Sequence, residues 1–190
     1  MPRTKTGDKR AAIFRAATKI IAEDGISAST AKIAKAAGVA EGSLFRYFQD
    51  KDTLLNELYL ELKIGVRDAI VAGFPVIGSL RTRVQHIWNA YISWGTESPE
   101  KHKAMMQLNI SERITQQSRQ EGQVGLKDAT KAMEQLVARG RLAGMPPAFA
   151  SDLLLAMAET TMTSMAINPA NSQRYRDTGF EAFWSAAAKK

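Results

Sequence analysis

Residues 29–48 read STAKIAKAAGVAEGSLFRYF, and the spacing of their small and apolar side chains decides how the N-terminal quarter of the chain folds. Two short helices that cross at a tight turn need a small residue where they touch, a glycine in the turn and apolar residues at fixed offsets. Ala34 is the small residue, and Gly38, four positions on, supplies the turn. Ile33, Ala37, Val39, Leu44 and Tyr47 fill the five apolar positions, and Ser29 is a suitable cap for the first helix. An ordinary corner between two helices would explain Ala-Gly-Val alone. The full set of offsets points to a helix-turn-helix whose recognition helix covers about residues 40–47.

Charge is placed to match. The 190 residues carry a formal net charge of +7, with 45% hydrophobic and 24% charged residues, the balance of a globular chain. Residues 1–51 hold ten of the bases (Arg3, Lys5, Lys9, Arg10, Arg15, Lys19, Lys32, Lys35, Arg46, Lys51) against five acids, a net of +5. Such an excess alone suits a polyanionic partner or merely a solvated basic face; beside a helix-turn-helix it suits double-stranded DNA.

Periodicity is helical almost throughout, and no stretch alternates like a strand. Ile13, Ala16, Ala17 and Ile20 form one stripe on a first helix over about residues 8–24, which Gly25 stops. Asp52 is expected to cap a long fourth helix carrying Leu55, Leu58, Tyr59, Leu62, Val66, Ala69 and Ile70, broken by residues 73–78 around Pro75. Leu80, Val84, Ile87, Trp88 and Tyr91 align on a fifth helix, and Ser98-Pro99-Glu100 caps a sixth that runs to about residue 110. Residues 115–137 read as one helix, with a weak start around Gly122 and Gly125. An eighth over 148–167 is apolar on nearly every side, and a ninth over 172–188 presents Tyr175, Phe180, Phe183 and Trp184. The expected fold is all-α, with nine helices and no sheet.

Several function classes drop out. The absence of cysteine removes disulfides, thiolate metal sites and a cysteine nucleophile. No Gly-Xaa-Ser-Xaa-Gly elbow, phosphate-binding loop, dinucleotide fingerprint or His-Glu-Xaa-Xaa-His pair occurs, and His86 and His102 stand apart, so neither an enzyme nor a cofactor or metal site is expected. No apolar run approaches a membrane span, and the basic N-terminus has no apolar segment behind it; the expected location is cytoplasmic.

The pattern Ala16-Ala17, Gly25, Ser29, Ile33-Ala34, Ala37-Gly38-Val39, Gly42-Ser43-Leu44-Phe45, Tyr47-Phe48, Lys51 and Leu54-Leu55 resembles the DNA-binding domain of TetR/AcrR repressors. IWNAYISWG (87–95), QLNISE (107–112), LAMAETTM (155–162) and GFEAFW (179–184) are similar to the RamR-type, multidrug-responsive branch of that family. The resemblance implies a homodimer whose three N-terminal helices (residues 1–51) bind DNA and whose other six (residues 52–190) bind a ligand and a second subunit. It implies a ligand-responsive transcriptional repressor, released from its operator by an aromatic or amphipathic small molecule. A helical small-molecule carrier, or an activator, is the alternative.

Residue roles follow from that frame. Ser29, Thr30, Ala31, Glu41, Gly42, Ser43, Phe45, Arg46, Tyr47 and Lys51 are the expected DNA-binding residues. Arg46 suits a guanine edge or a phosphate. Glu41 suits a cytosine amine or the positive end of its own helix. Gly42 lets the backbone approach closely. Ser43, Thr30 and Lys51 suit phosphates, and Phe45, where the family usually has tyrosine, cannot donate to one. Arg3, Lys5, Lys9 and Arg10 form a basic arm or a solvated tail.

The resemblance places Tyr59, Lys63, Ile70, Val84, Ile87, Trp88, Met133, Leu136, Ser151 and Leu154 around an effector cavity. Leu154 stands in place of a stacking phenylalanine and Ser151 in place of an aspartate, which lowers the bias toward cations; Glu159 and Asp152 restore it only if they point inward. Thr160, Thr161, Met165, Phe180, Phe183 and Trp184 are the expected dimer contacts.

Overall fold

The computed structural model describes residues 5–189, Lys5 and Thr6 by their backbone alone. Expectations attached to Arg3 and to the Lys5 side chain therefore lie outside the described residues. Among the described residues there are ten α-helices and no strand. They are α1 (Lys5–Asp24), α2 (Thr30–Ala36), α3 (Glu41–Leu44), α4 (Lys51–Val71), α5 (Leu80–Glu97), α6 (Pro99–Asn109), α7 (Gln116–Glu121), α8 (Lys127–Arg139), α9 (Pro147–Ile167) and α10 (Ser172–Ala187). None is long and apolar enough to cross a membrane.

The tenth helix comes from residues 115–137, which form two helices rather than one. Thr115 caps α7, its hydroxyl accepting from the Ser118 amide at 3.1 Å. Gly125 then takes φ +90°, a left-handed conformation that no helix continues through, and α8 begins after it. The apolar period of α8 runs on from Leu126, which is why the sequence alone joins the two.

Two other starts differ from expectation. Asp50, not Asp52, caps α4: its Oδ1 accepts from the Thr53 amide at 2.7 Å, and that bond holds the carboxyl below the usual aspartate range. Pro99 begins α6 as expected, but Ser98 makes no side-chain cap bond.

The chain divides into two units. The first comprises the described residues up to Gly65 together with residues 98–124; the second comprises residues 66–97 and those from 125 onward. In the first, α1 packs on α2 and α6. Ile13, Ala17, Ile33, Leu44, Phe48, Leu54, Leu55, Ala104 and Leu108 are its buried core. Phe14 and Phe48 meet with ring centroids 5.3 Å apart, and the Arg10 guanidinium lies 5.0 Å and 5.5 Å over those two rings while pairing with Glu57 of α4.

In the second unit α5 packs on α8, α9 and α10, and α9 on α10. Trp88 is fully buried, its ring stacked on Phe183 at 6.4 Å and near Phe180 at 6.3 Å, and its Nε1 donates to the Arg176 carbonyl at 3.1 Å. Each of these rings buries on the order of 150–250 Å², several kcal/mol of transfer free energy apiece. Gly179 makes room for that packing: a Cβ there would lie 2.4 Å from Thr161 Oγ1 and 2.8 Å from Trp88 Cζ2. Although α9 is apolar on most sides, the residues it buries are Ala150, Leu154, Ala158, Thr161, Met162 and Met165, a single stripe at helical spacing.

Candidate nucleic-acid interface and effector residues

The helix-turn-helix is assembled by local hydrogen bonds. Ser29 caps α2, its Oγ accepting from the Lys32 amide at 3.2 Å. At the other end, Gly38 takes φ +68°, its amide bonds the Lys35 carbonyl at 3.2 Å, and the Val39 amide bonds the Ala34 carbonyl at 3.0 Å. This pair of bonds ends a helix and turns the chain sharply, and a residue with a Cβ adopts the turn's left-handed position only under strain. Ala40 then caps α3 in an extended conformation.

The recognition helix is shorter than expected. Only Glu41–Leu44 is α-helical; Arg46 and Tyr47 donate to Ser43 and Leu44 at 3.2 Å and 2.9 Å, three residues back, which tightens the last turn. Leu44 is buried and anchors the helix, and Phe48 closes the turn in the core.

Most of the expected DNA-binding residues are solvent-accessible. Ser29, Ala31, Glu41, Gly42, Phe45 and Arg46 are exposed, and Thr30, Ser43, Tyr47 and Lys51 are half-buried. Thr30 and Glu41, expected to act separately, are bonded to each other: the Thr30 hydroxyl donates to Glu41 Oε1 at 2.7 Å. That bond joins the starts of α2 and α3 and occupies the hydroxyl proton that Thr30 could offer a phosphate. Nothing in the spacing announces it, because eleven residues separate the pair. The Arg46 side chain has no hydrogen-bond or ion-pair partner among the described residues, so its guanidinium is available. Burial, and after it the charge of Arg113, pulls the Lys51 ammonium below its usual range against a smaller opposing effect of Asp52. Lys9 and Arg10 belong to α1 rather than to an arm, and Arg10 is held by Glu57 and the two rings.

The expected effector residues fall in both units. In the first, Tyr59 is buried and Lys63 half-buried, with the Lys63 ammonium 5.2 Å over the Tyr59 ring. A Cβ at Gly122 would lie 3.0 Å from Lys63 Cγ and 3.2 Å from Tyr59 Cε1, so the end of α7 lies against both. Burial raises the Tyr59 phenol above its ordinary value. In the second unit Ile70, Val84, Ile87, Trp88, Met133, Leu136 and Leu154 are all buried and Ser151 is half-buried. Tyr91, also buried, donates to Glu159 Oε1 at 2.8 Å; burial, and next the carboxylate, hold its phenol strongly protonated. Asp152 is exposed.

Sequence reasoning missed a groove of about 760 Å³ in the first unit, lined by Ala12, Ala16 and Ile20 of α1, Ala36 and Ala37, and the charged Arg15, Lys19, Glu23 and Glu100. None of the expected effector residues lines it.

Of the expected dimer contacts, Phe180 and Phe183 pack on Trp88 inside the protomer, and Thr161 and Met165 are buried. Thr160 is exposed, and Trp184 is half-buried under the Arg81 guanidinium, which lies 5.5 Å from its ring. His86 Nε2 lies 2.8 Å from the Ile70 carbonyl, and the described residues hold no cluster of metal-ligating side chains.

An all-α chain that presents an exposed helix-turn-helix near its N-terminus has the architecture of a DNA-binding regulator. Residues 13–58 match the model of the bacterial regulatory proteins of the tetR family. Over 50 residues the chain is 46% identical to the fatty acid metabolism regulator protein of Bacillus subtilis (strain 168), a match spanning 26% of this chain and 26% of that curated relative. A protein of Shewanella sp. PV-4, described as a tetR family transcription regulator, superposes with a TM-score of 0.84 at 29% identity over 99% of this chain and 100% of its own. LfrR of Mycobacterium smegmatis, in complex with proflavine, shares the fold with a TM-score of 0.68 at 18% identity, covering 96% and 99% of the two chains. FadR of Bacillus subtilis, in complex with stearoyl-CoA, does so at 0.68 and 19%, covering 93% and 98%. The chain is thus similar to tetR-family regulators, by sequence over its N-terminal region and by fold over its whole length; regulators of that family are DNA-binding proteins, not enzymes.

Proposed function

We propose that the chain is a ligand-responsive repressor that binds double-stranded operator DNA as a homodimer. Residues 1–51 are the reading head and residues 52–190 the ligand-binding and dimerisation domain. The carrying observation is the exposed surface of Ser29, Ala31, Glu41, Gly42 and Arg46, with a guanidinium that has no partner among the described residues. Two such heads about 35 Å apart enter successive major grooves. Effector binding in the second unit shifts α4, whose first turns carry Lys51, and the spacing no longer fits the operator. A coupling of about 1–3 kcal/mol is ordinary for such a device.

The effector we propose is aromatic or amphipathic, as for the RamR-type, multidrug-responsive repressors. Aromatic and aliphatic burial around Trp88 supports this, as do the proflavine and stearoyl-CoA bound by the two relatives of the same fold. One oxygen of Glu159 is already taken by Tyr91, and Ser151 brings no charge, so the bias toward cations is weak. Homodimerisation places Thr160 and Trp184 at the contact, with Thr161, Met165, Phe180 and Phe183 supporting them from within the α9–α10 pair.

Fluorescence anisotropy with a duplex from the promoter of its own gene tests the reading: tight binding in dilute buffer that an effector reverses is expected, and no binding to any promoter fragment overturns it. Titration calorimetry with proflavine against a neutral steroid tests the effector class, and a strong preference for the cation defeats the weak-bias reading. A monomer in sedimentation at micromolar concentration refutes the dimer.

A further inference from the structure

We propose that Arg113, on the loop between α6 and α7, joins Lys51 in holding one backbone phosphate of bound DNA. The proposal rests on the reading of the chain as a DNA-binding regulator, and it adds a contact from outside the helix-turn-helix.

The loop is fixed to the start of α4. Asn56 is the clasp: its Nδ2 donates to the Asp52 and Arg113 carbonyls at 2.8 Å and 2.9 Å, and its Oδ1 accepts from the Thr115 amide at 2.9 Å. The Arg113 amide donates to Ser111 Oγ at 3.2 Å, and Arg119 donates to the Asn109 and Ser111 carbonyls at 2.9 Å each. Ile114, the next residue, is 3% exposed and seals the loop from its apolar side. Both backbone groups of Arg113 are thus tied, so its side chain leaves the protein from a defined point.

That side chain is 50% exposed and lies at the first turn of α4, where its Nη1 donates to Asp52 Oδ1 at 2.5 Å. A guanidinium has five N–H donors, and the others on Arg113 meet no partner among the described residues. Lys51, half-buried on the same turn, is near enough for the Arg113 charge to depress its ammonium. Lys51 and Arg113 therefore share this corner with Asp52, while the Asp50 carboxylate on the same turn is committed to capping the helix through the Thr53 amide. Keeping like charges together is unfavourable until an anion joins them, and a phosphate oxygen serves both cations while Asp52 gives up its share of the guanidinium. In the DNA-free protein Asp52 is the stand-in anion.

The test measures binding to the promoter duplex and to a scrambled duplex of equal length, between about 50 and 200 mM salt. R113A is expected to bind both about tenfold more weakly, and to lower the slope of log affinity against log salt by about 0.9, one phosphate contact. R113K keeps a charge and retains most of the affinity. D52N breaks the same ion pair but keeps the cation, and it binds as tightly as the parent or more tightly. Equal losses in R113A and D52N would make the pair a loop staple only and overturn the proposal, as would R113A matching the parent in affinity and slope. If the parent chain binds neither duplex, the regulator reading itself has failed; if it binds and R113A is indifferent, this proposal alone has.

Discussion

Replacing Gly42 by alanine is expected to leave the protein folded and to spoil its grip on DNA. Gly42 lies inside α3 and is exposed, and a Cβ built on it meets nothing within 4 Å. The methyl group therefore has no steric cost within the protein. Alanine is favoured over glycine in a helix interior by about 0.8–1.0 kcal/mol, and a four-residue helix realises part of that, about 0.5 kcal/mol. For a chain of this size such a gain raises the melting temperature by about 1–2 °C.

DNA meets the methyl differently. If the Gly42 backbone lies against the duplex, the added carbon needs about 3.5–4.0 Å to any DNA atom and pushes the head outward by roughly 1 Å. Phosphate hydrogen bonds near 2.8 Å do not survive that stretch. A fall in affinity of about tenfold, roughly 1.4 kcal/mol, is the expected result, read by fluorescence anisotropy beside a melting curve from circular dichroism. Unchanged affinity would remove Gly42 from the interface. A melting temperature lowered by several degrees would contradict the open space around it.

Arg46→Ala is expected to weaken operator binding by about 1–3 kcal/mol and to relax preference at one base pair, measured by titrating a panel of single-substituted duplexes; uniform weakening would assign Arg46 to a phosphate. Gly179→Ala forces a Cβ to within 2.4 Å of Thr161 Oγ1, which is committed to the Met157 carbonyl at 2.9 Å, and against the buried Trp88. Overpacking of this kind costs about 1–3 kcal/mol, so denaturant unfolding should show a lower midpoint, and an unchanged midpoint would refute the α9–α10 packing. Tyr59 and Tyr91 hold their protons more tightly in the folded protein than in the unfolded chain, where a tyrosine ionises near about pH 10. Their contribution to stability is intact below about pH 10 and lost as pH rises through the folded values. Near-ultraviolet titration of the folded protein is expected to show late tyrosine ionisation, part of it absent in Y91F; a Y91F titration identical to the parent's would refute the burial of Tyr91.

The parts of the interface that were legible in the sequence are those set by neighbours a few residues away. Ser29 caps because its side chain reaches an amide three residues on, and Gly38 turns because the bonds it permits span three and five residues. The Asp50 cap was misplaced by two residues, since both aspartates suit a helix start and the choice depends on where the first turn closes. Residues 115–137 were joined because the apolar period continues across the break that Gly125 makes. The effector residues were legible as apolar positions, but the Tyr91–Glu159 bond joins residues 68 apart and leaves no local trace.

By itself the sequence determined which residues become helix, where most helices end, and that a sharp turn joins α2 to α3, because period, caps and left-handed glycines act within one or two turns. Tertiary structure alone decided which groups meet across long separations: Thr30 with Glu41, Arg113 with Asp52, and Trp88 with Phe180 and Phe183. It also decided that α9 buries one stripe of its apolar surface and that Phe180 and Phe183 face inward. An apolar side chain prefers any dry surface equally, and only the placement of whole helices selects which one it gets.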